Sequence, residues 1–77
     1  MWDDALVYIQ EKVPKQVYET WFTPVVLDRV EDTTAYLAVP NKFFGEWLGE
    51  HYHDLLAEAV SAAQGGGRMD VSFVINN

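Results

Sequence analysis

An apolar stripe between two strand-like runs constrains this chain more than any other feature. Phe44, Trp47, Leu48, Tyr52, Leu55, Leu56, Ala59 and Val60 recur at the spacing of one helix face, which predicts a helix from Lys42 to Ala63. Asn41 is placed to cap its start, and Gly65 or Gly66 in the Gln64-Gly65-Gly66-Gly67 run suits the left-handed conformation that ends it. Thr34 to Val39 reads as a strand stopped by Pro40. After the glycines, Met69, Val71, Phe73 and Ile75 alternate with Asp70, Ser72, Val74 and Asn76, which is strand period. A helix placed between two strands must bury its stripe against the sheet they join, and the crossover is expected to be right-handed if those strands run parallel. Gly45 and Gly49 are unfavourable inside a helix, by about 1 kcal/mol each relative to Ala. Their presence points to close packing against the sheet or a neighbouring helix.

The N-terminal third is helical as well. Trp2, Ala5, Leu6, Ile9 and Val13 lie on one face, and Asp3 and Asp4 complement the positive end of the helix dipole. Pro14 cannot continue this helix but suits the first turn of another, which carries Val17, Tyr18, Trp21 and Phe22 and ends at Thr23-Pro24. Val25-Val26-Leu27 and Val30 then form a strand interrupted by Asp28-Arg29. Glu31-Asp32-Thr33 supplies the turn into the strand at 34–39, and a short polar loop makes an antiparallel hairpin the default. The element order is therefore α-α-β-β-α-β, an α+β domain with a three-stranded sheet covered on one face by helices.

At 77 residues the chain is one domain, residues 1–77 with order expected over about 2–75. The closing Asn76-Asn77 reads as the start of a linker to further domains of a longer protein. Without cysteine there is no disulfide and no thiolate for zinc or catalysis, so a cytoplasmic setting is expected. No secretory signal opens the chain and no run approaches the roughly 20 apolar residues of a membrane span. Twelve acidic against five basic side chains give a formal charge of −7. Nucleic-acid affinity rests largely on Lys and Arg neutralising phosphates, so proteins with a basic patch are the better-matched partners.

Catalytic chemistry is not visible. Ser61 and Ser72 lack a nucleophile-elbow context, and Gly65-Gly66-Gly67-Arg68 is no P-loop. His51 and His53 are two apart on a helix, so they point in opposed directions and cannot share an ion. His51 borders the apolar stripe and is expected to be partly buried. No cofactor is called for. Glu46, Glu50, Asp54 and Glu58, spaced by four, form an acidic stripe that is either a solvated face or a surface for a basic partner. Phe43 falls at the margin of the buried stripe among Asn41, Lys42 and Glu46. It either packs back onto the helical hairpin or serves as an aromatic docking anchor. Trp2, in the first turn, either closes the core or pairs with a second copy.

Four segments in register carry a family resemblance over the whole chain from Trp2 to about Ile75. They are Trp2 opening the first helix, Val13-Pro14, Trp21-Phe22-Thr23-Pro24, and Val39-Pro40-Asn41-Lys42-Phe43-Phe44-Gly45-Glu46-Trp47. Together they resemble the N-terminal domain (domain I) of DnaA, the bacterial chromosomal replication initiator. That resemblance implies a KH-like fold and a protein-interaction hub. Such a hub self-associates, helps load the replicative helicase DnaB and receives regulators of initiation. The ATPase and origin-binding domains of the family lie outside this chain, so it is not expected to be an enzyme. By position, Trp2 would be the self-association tryptophan, Phe43 the helicase-contacting aromatic, and Asn41 part of the regulator-binding edge, with Glu46 beside them. Val17 stands where the family's acidic helicase contact is expected, so an apolar contact would replace it.

Two other classes stay open at this point. A KH-like module can bind single-stranded nucleic acid through a Gly-x-x-Gly loop with basic neighbours. Here Gly45 and Gly49 lie within a predicted helix and the basic residues are scattered, so contact near Lys42 or Arg68 would be weak at most. The second is a purely structural dimerisation domain. No membrane partner is expected.

Overall fold

A computed structural model of the chain describes residues 2–75; the linker expected at Asn76-Asn77 lies outside them. Helix α1 (Trp2–Gln10) is followed by a short α2 (Lys15–Val17) with Pro14 at its N-cap, and α2 continues as a π-helical segment, Tyr18–Phe22. Strands β1 (Val26–Glu31) and β2 (Thr34–Val39) form the hairpin, then come α3 (Lys42–His51), α4 (His53–Ala63) and β3 (Asp70–Ile75). The sheet order is β1-β2-β3, with β1 antiparallel and β3 parallel to β2. The α+β class and the three-stranded sheet are as the periodicity predicts.

Alternation in β2 turns Ala35, Leu37 and Val39 into one core with Ile9, Phe22, Leu48, Leu56 and Val60. Opposite them in register on β3 stand Val71, Phe73 and Ile75. The hairpin turns at Asp32-Thr33, where Asp32 takes φ 53°, a conformation that aspartate tolerates better than bulkier residues. Asp28 falls at a β-bulge, which accounts for the polar interruption in β1.

The single long helix is corrected by the structure. At Tyr52 the backbone leaves helical geometry (φ −130°, ψ 16°) and the helix divides into α3 and α4. A straight helix over 42–63 would be about 33 Å long at 1.5 Å per residue, whereas the molecule's longest dimension is 28 Å. The break lets α3 lie on the sheet and α4 lie on α1. It also seats the Tyr52 ring against Phe22 and Trp47, each at 5.4 Å between centroids. The glycine expectation holds: a Cβ on Gly45 or Gly49 would come within 3.4 Å of Phe73 on β3. Gly65 and Gly66 both take positive φ (100° and 98°) and the Gly66 N–H donates to the Ser61 carbonyl, ending α4. The π segment closes with the Thr23 N–H donating to the Tyr18 carbonyl. It has no counterpart in the sequence reading.

Candidate functional site

The start of α3 is built to present one aromatic to solvent. Asn41 Oδ1 accepts a hydrogen bond from the Phe44 N–H at 3.0 Å, so the cap inferred from sequence fixes the first turn. Phe44 then turns inward to Trp21, with ring centroids 4.9 Å apart. One turn on, Trp47 stacks face to face on the same Trp21 at 3.7 Å and 9°. With Phe44, Trp47 and Leu48 committed inward, the helical phase leaves Phe43 outside, 80% exposed. Of the two positions open to Phe43, packing on the hairpin is excluded by that exposure. Lys42 and Glu46 form an exposed pair beside it at 3.8 Å, spaced by one turn, which contributes a few tenths of a kcal/mol.

Val17 is half-buried, packs on the core cluster and lies one turn before Trp21. Glu19 is exposed and held 3.8 Å from Lys15, on the rim of a shallow depression formed with Gln10, Lys15 and Tyr18. Trp2 is half-buried against the core and its indole N–H donates to the Val25 carbonyl at 3.2 Å. Trp2 therefore closes the end of the core while keeping part of its surface in solvent.

Two expectations are revised. The acidic stripe is not one face: the break at Tyr52 puts Glu46 and Glu50 on α3 and Asp54 and Glu58 on α4. Glu46 borders a cleft against β3, whereas Asp54 and Glu58 border a depression shared with Tyr8 and Arg68. His51 is exposed rather than partly buried, its ring 4.8 Å from Trp47, because α3 ends there and the break rotates the chain. His53 faces Asp54 at 3.7 Å on the surface. Among the described residues no group of three His, Asp or Glu could hold a metal. Ser61 is engaged structurally, its Oγ accepting from the Met69 N–H at 3.0 Å.

The basic residues do not converge. Lys15 and Lys42 are paired with acids one turn away, and Lys12 lies over the Tyr8 ring. Arg29 lies over Tyr36 and is bonded to Asp28 and Glu31. The Asp28 hydrogen bond, aided by Glu31, raises its pKa above the ordinary arginine value. Gly45 and Gly49, inside α3 against Phe73, form no loop that could grip a nucleic-acid backbone. Periodicity alone does not pair Trp21 with Trp47. The signal for their stack in the sequence is the pair Phe44 and Trp47 on one helix face, with Trp21 among the apolar residues of the second helix.

Residues 1–62 match the family described as DnaA N-terminal domain. The chromosomal replication initiator protein DnaA of Flavobacterium psychrophilum is 42% identical over 65 residues, covering 84% of this chain and 14% of that protein. The corresponding protein of Bacteroides thetaiotaomicron is 39% identical over 67 residues, 87% of this chain and again 14% of the relative. The chain thus spans about a seventh of the length of these relatives. In three dimensions the fold is shared with a chain of the HobA-DnaA (domain I-II) complex from Helicobacter pylori. The TM-score is 0.83 at 21% identity, covering 97% of this chain and 96% of that one. The chain belongs to the DnaA N-terminal domain family.

Proposed function

We propose that this domain is the partner-docking module of a cytoplasmic bacterial replication initiator. In this reading it engages the replicative helicase DnaB and regulators of initiation through Phe43, with Asn41, Glu46 and Val17 around it. Other copies of the initiator are engaged through Trp2. The observation that carries the reading is Phe43, a large aromatic held 80% exposed on a rigid, capped helix. Nothing in the fold requires an exposed aromatic there, and burial of a phenylalanine at an interface contributes about 1.5–3 kcal/mol. Family membership and the Helicobacter pylori fragment of the same fold, solved in complex with HobA, support the same role. The proposal gives the domain no ATP hydrolysis and no sequence-specific DNA recognition.

The test is calorimetric titration of the domain with the N-terminal region of its cognate helicase. Phe43→Ala is expected to weaken binding by ~30-fold, the effect of an interface hot spot of about 2 kcal/mol. Equal affinity for wild type and variant removes Phe43 from the interface.

A further inference from the structure

The two edges of the sheet are unlike. Edge strand β1 carries Asp28, Arg29 and Glu31 and a bulge at Asp28, features that discourage further strand pairing. Strand β3 has none of these between Val71 and Ile75: no charge, no proline, and a register with β2 that runs without interruption. Its free backbone groups can be assigned. The Asp70 N–H donates to the Thr33 carbonyl at 2.8 Å. In a parallel ladder, residues alternate between pairing with the neighbour and facing away from it. Asp70, Ser72 and Val74 therefore pair with β2, and Val71, Phe73 and Ile75 turn their N–H and C=O groups outward. Val71 is buried, so the accessible stretch begins at Phe73 and reaches Ile75, which is 52% exposed.

Along this stretch runs an open, mainly apolar cleft of about 320 Å³, lined by Val39, Lys42, Gly45, Glu46, Phe73 and Ile75. The lack of a side chain at Gly45 opens it. Phe43 does not line it. The Lys42 ammonium on its rim is matched by Glu46 at 3.8 Å, so the field beyond is that of a chain with net charge −7. At this edge, away from Trp2, that charge favours a cationic occupant over a second copy of the domain.

We infer that the β3 edge from Phe73 to Ile75 is a strand-addition site for an extended, basic segment of a partner protein that seats one apolar side chain in the adjoining cleft. Backbone hydrogen bonds to Phe73 and Ile75 supply the pairing, the cleft selects the side chain, and the net negative charge of the domain favours basic flanks. This site is separate from Phe43, and occupation of one leaves the other open.

The test uses the 77-residue chain and a synthetic peptide of alternating threonine and valine with paired lysines at each end. Binding is expected to shift the amide resonances of Phe73 and Ile75 most and to slow their hydrogen exchange. Replacing the lysines by glutamates is expected to weaken it about tenfold at low salt. Ile75→Pro removes an outward N–H that pairs with nothing in β2, so the fold survives while peptide binding drops by about tenfold or more. Ile75→Lys, which keeps the N–H and charges the mouth of the cleft, is expected to weaken it as well. Phe43→Ala leaves it unchanged. The inference is overturned by absence of binding at about millimolar peptide, by wild-type affinity in both Ile75 variants, or by largest shifts at Phe43 and Phe44. Equivalent shifts on concentrating the domain alone would assign the edge to a second copy instead.

Discussion

Phe43 and Trp2 are both large, partly or wholly accessible aromatics, yet they are held in opposite ways. Phe43 contributes almost nothing to the core, so Phe43→Ala is expected to change unfolding free energy by less than about 0.5 kcal/mol while weakening partner binding. Trp2 packs on the core cluster and donates to the Val25 carbonyl. Trp2→Ala is accordingly expected to destabilise by about 2 kcal/mol. In a domain of this size that lowers the unfolding midpoint by about 10 °C. Sedimentation over a concentration series, below that midpoint, should show self-association in wild type and its loss in the variant. Unchanged self-association would confine Trp2 to a structural role. Asn41 is the third informative residue. Asn41→Ala removes the cap on Phe44, with an expected loss of about 1 kcal/mol and increased hydrogen exchange in the first turn of α3.

At the scale of elements, the strands and turns were largely legible in the sequence because each carries its own local signal. Alternation marked β2 and β3, Pro40 and Asn41 marked the β2–α3 junction, and the glycine run marked the end of α4. The break at Tyr52 carried no such signal. Tyr52 fits the apolar stripe on both sides, and only the dimension of the molecule and the aromatic seat between Phe22 and Trp47 require the bend. The π segment is equally a product of packing, since it places Trp21 on Phe44 and Trp47. Glycines in α3 offer a direct check on this packing account. A Cβ on Gly49 meets mainly the edge of the Phe73 ring at 3.4 Å, so Gly49→Ala is expected to stabilise by up to about 1 kcal/mol through helix propensity. Gly45 faces the Phe73 Cβ at 3.4 Å and a Val39 methyl at 3.5 Å, so Gly45→Ala is expected to gain less. Denaturant unfolding of the two variants tests the order.

For the whole molecule, the charge and its distribution decide what class of partner fits. Three of the five basic residues sit on separate elements and two, Lys12 and Arg68, in connecting segments, and Lys15, Arg29 and Lys42 are already engaged by acids. The domain is therefore expected to bind an oligothymidine with a dissociation constant weaker than about 10⁻⁴ M near physiological salt. Tighter binding with a steep salt dependence would return the nucleic-acid reading to the front. What periodicity left open about the site was a matter of tertiary contact. Periodicity places Phe43 at a margin, and the inward turn of Phe44, Trp47 and Leu48 sends it outward; Trp2 already stands out as an aromatic in the first turn, whereas Val17 gains a role only through the family resemblance. The account rests on docking through the start of α3, and an amide-shift map of the labelled domain with the N-terminal region of its cognate helicase tests that most directly. The predicted result is largest shifts at Asn41, Phe43 and Glu46 with smaller ones around Val17. Shifts confined to β1 and the open sheet face, with Phe43 unmoved, would contradict it.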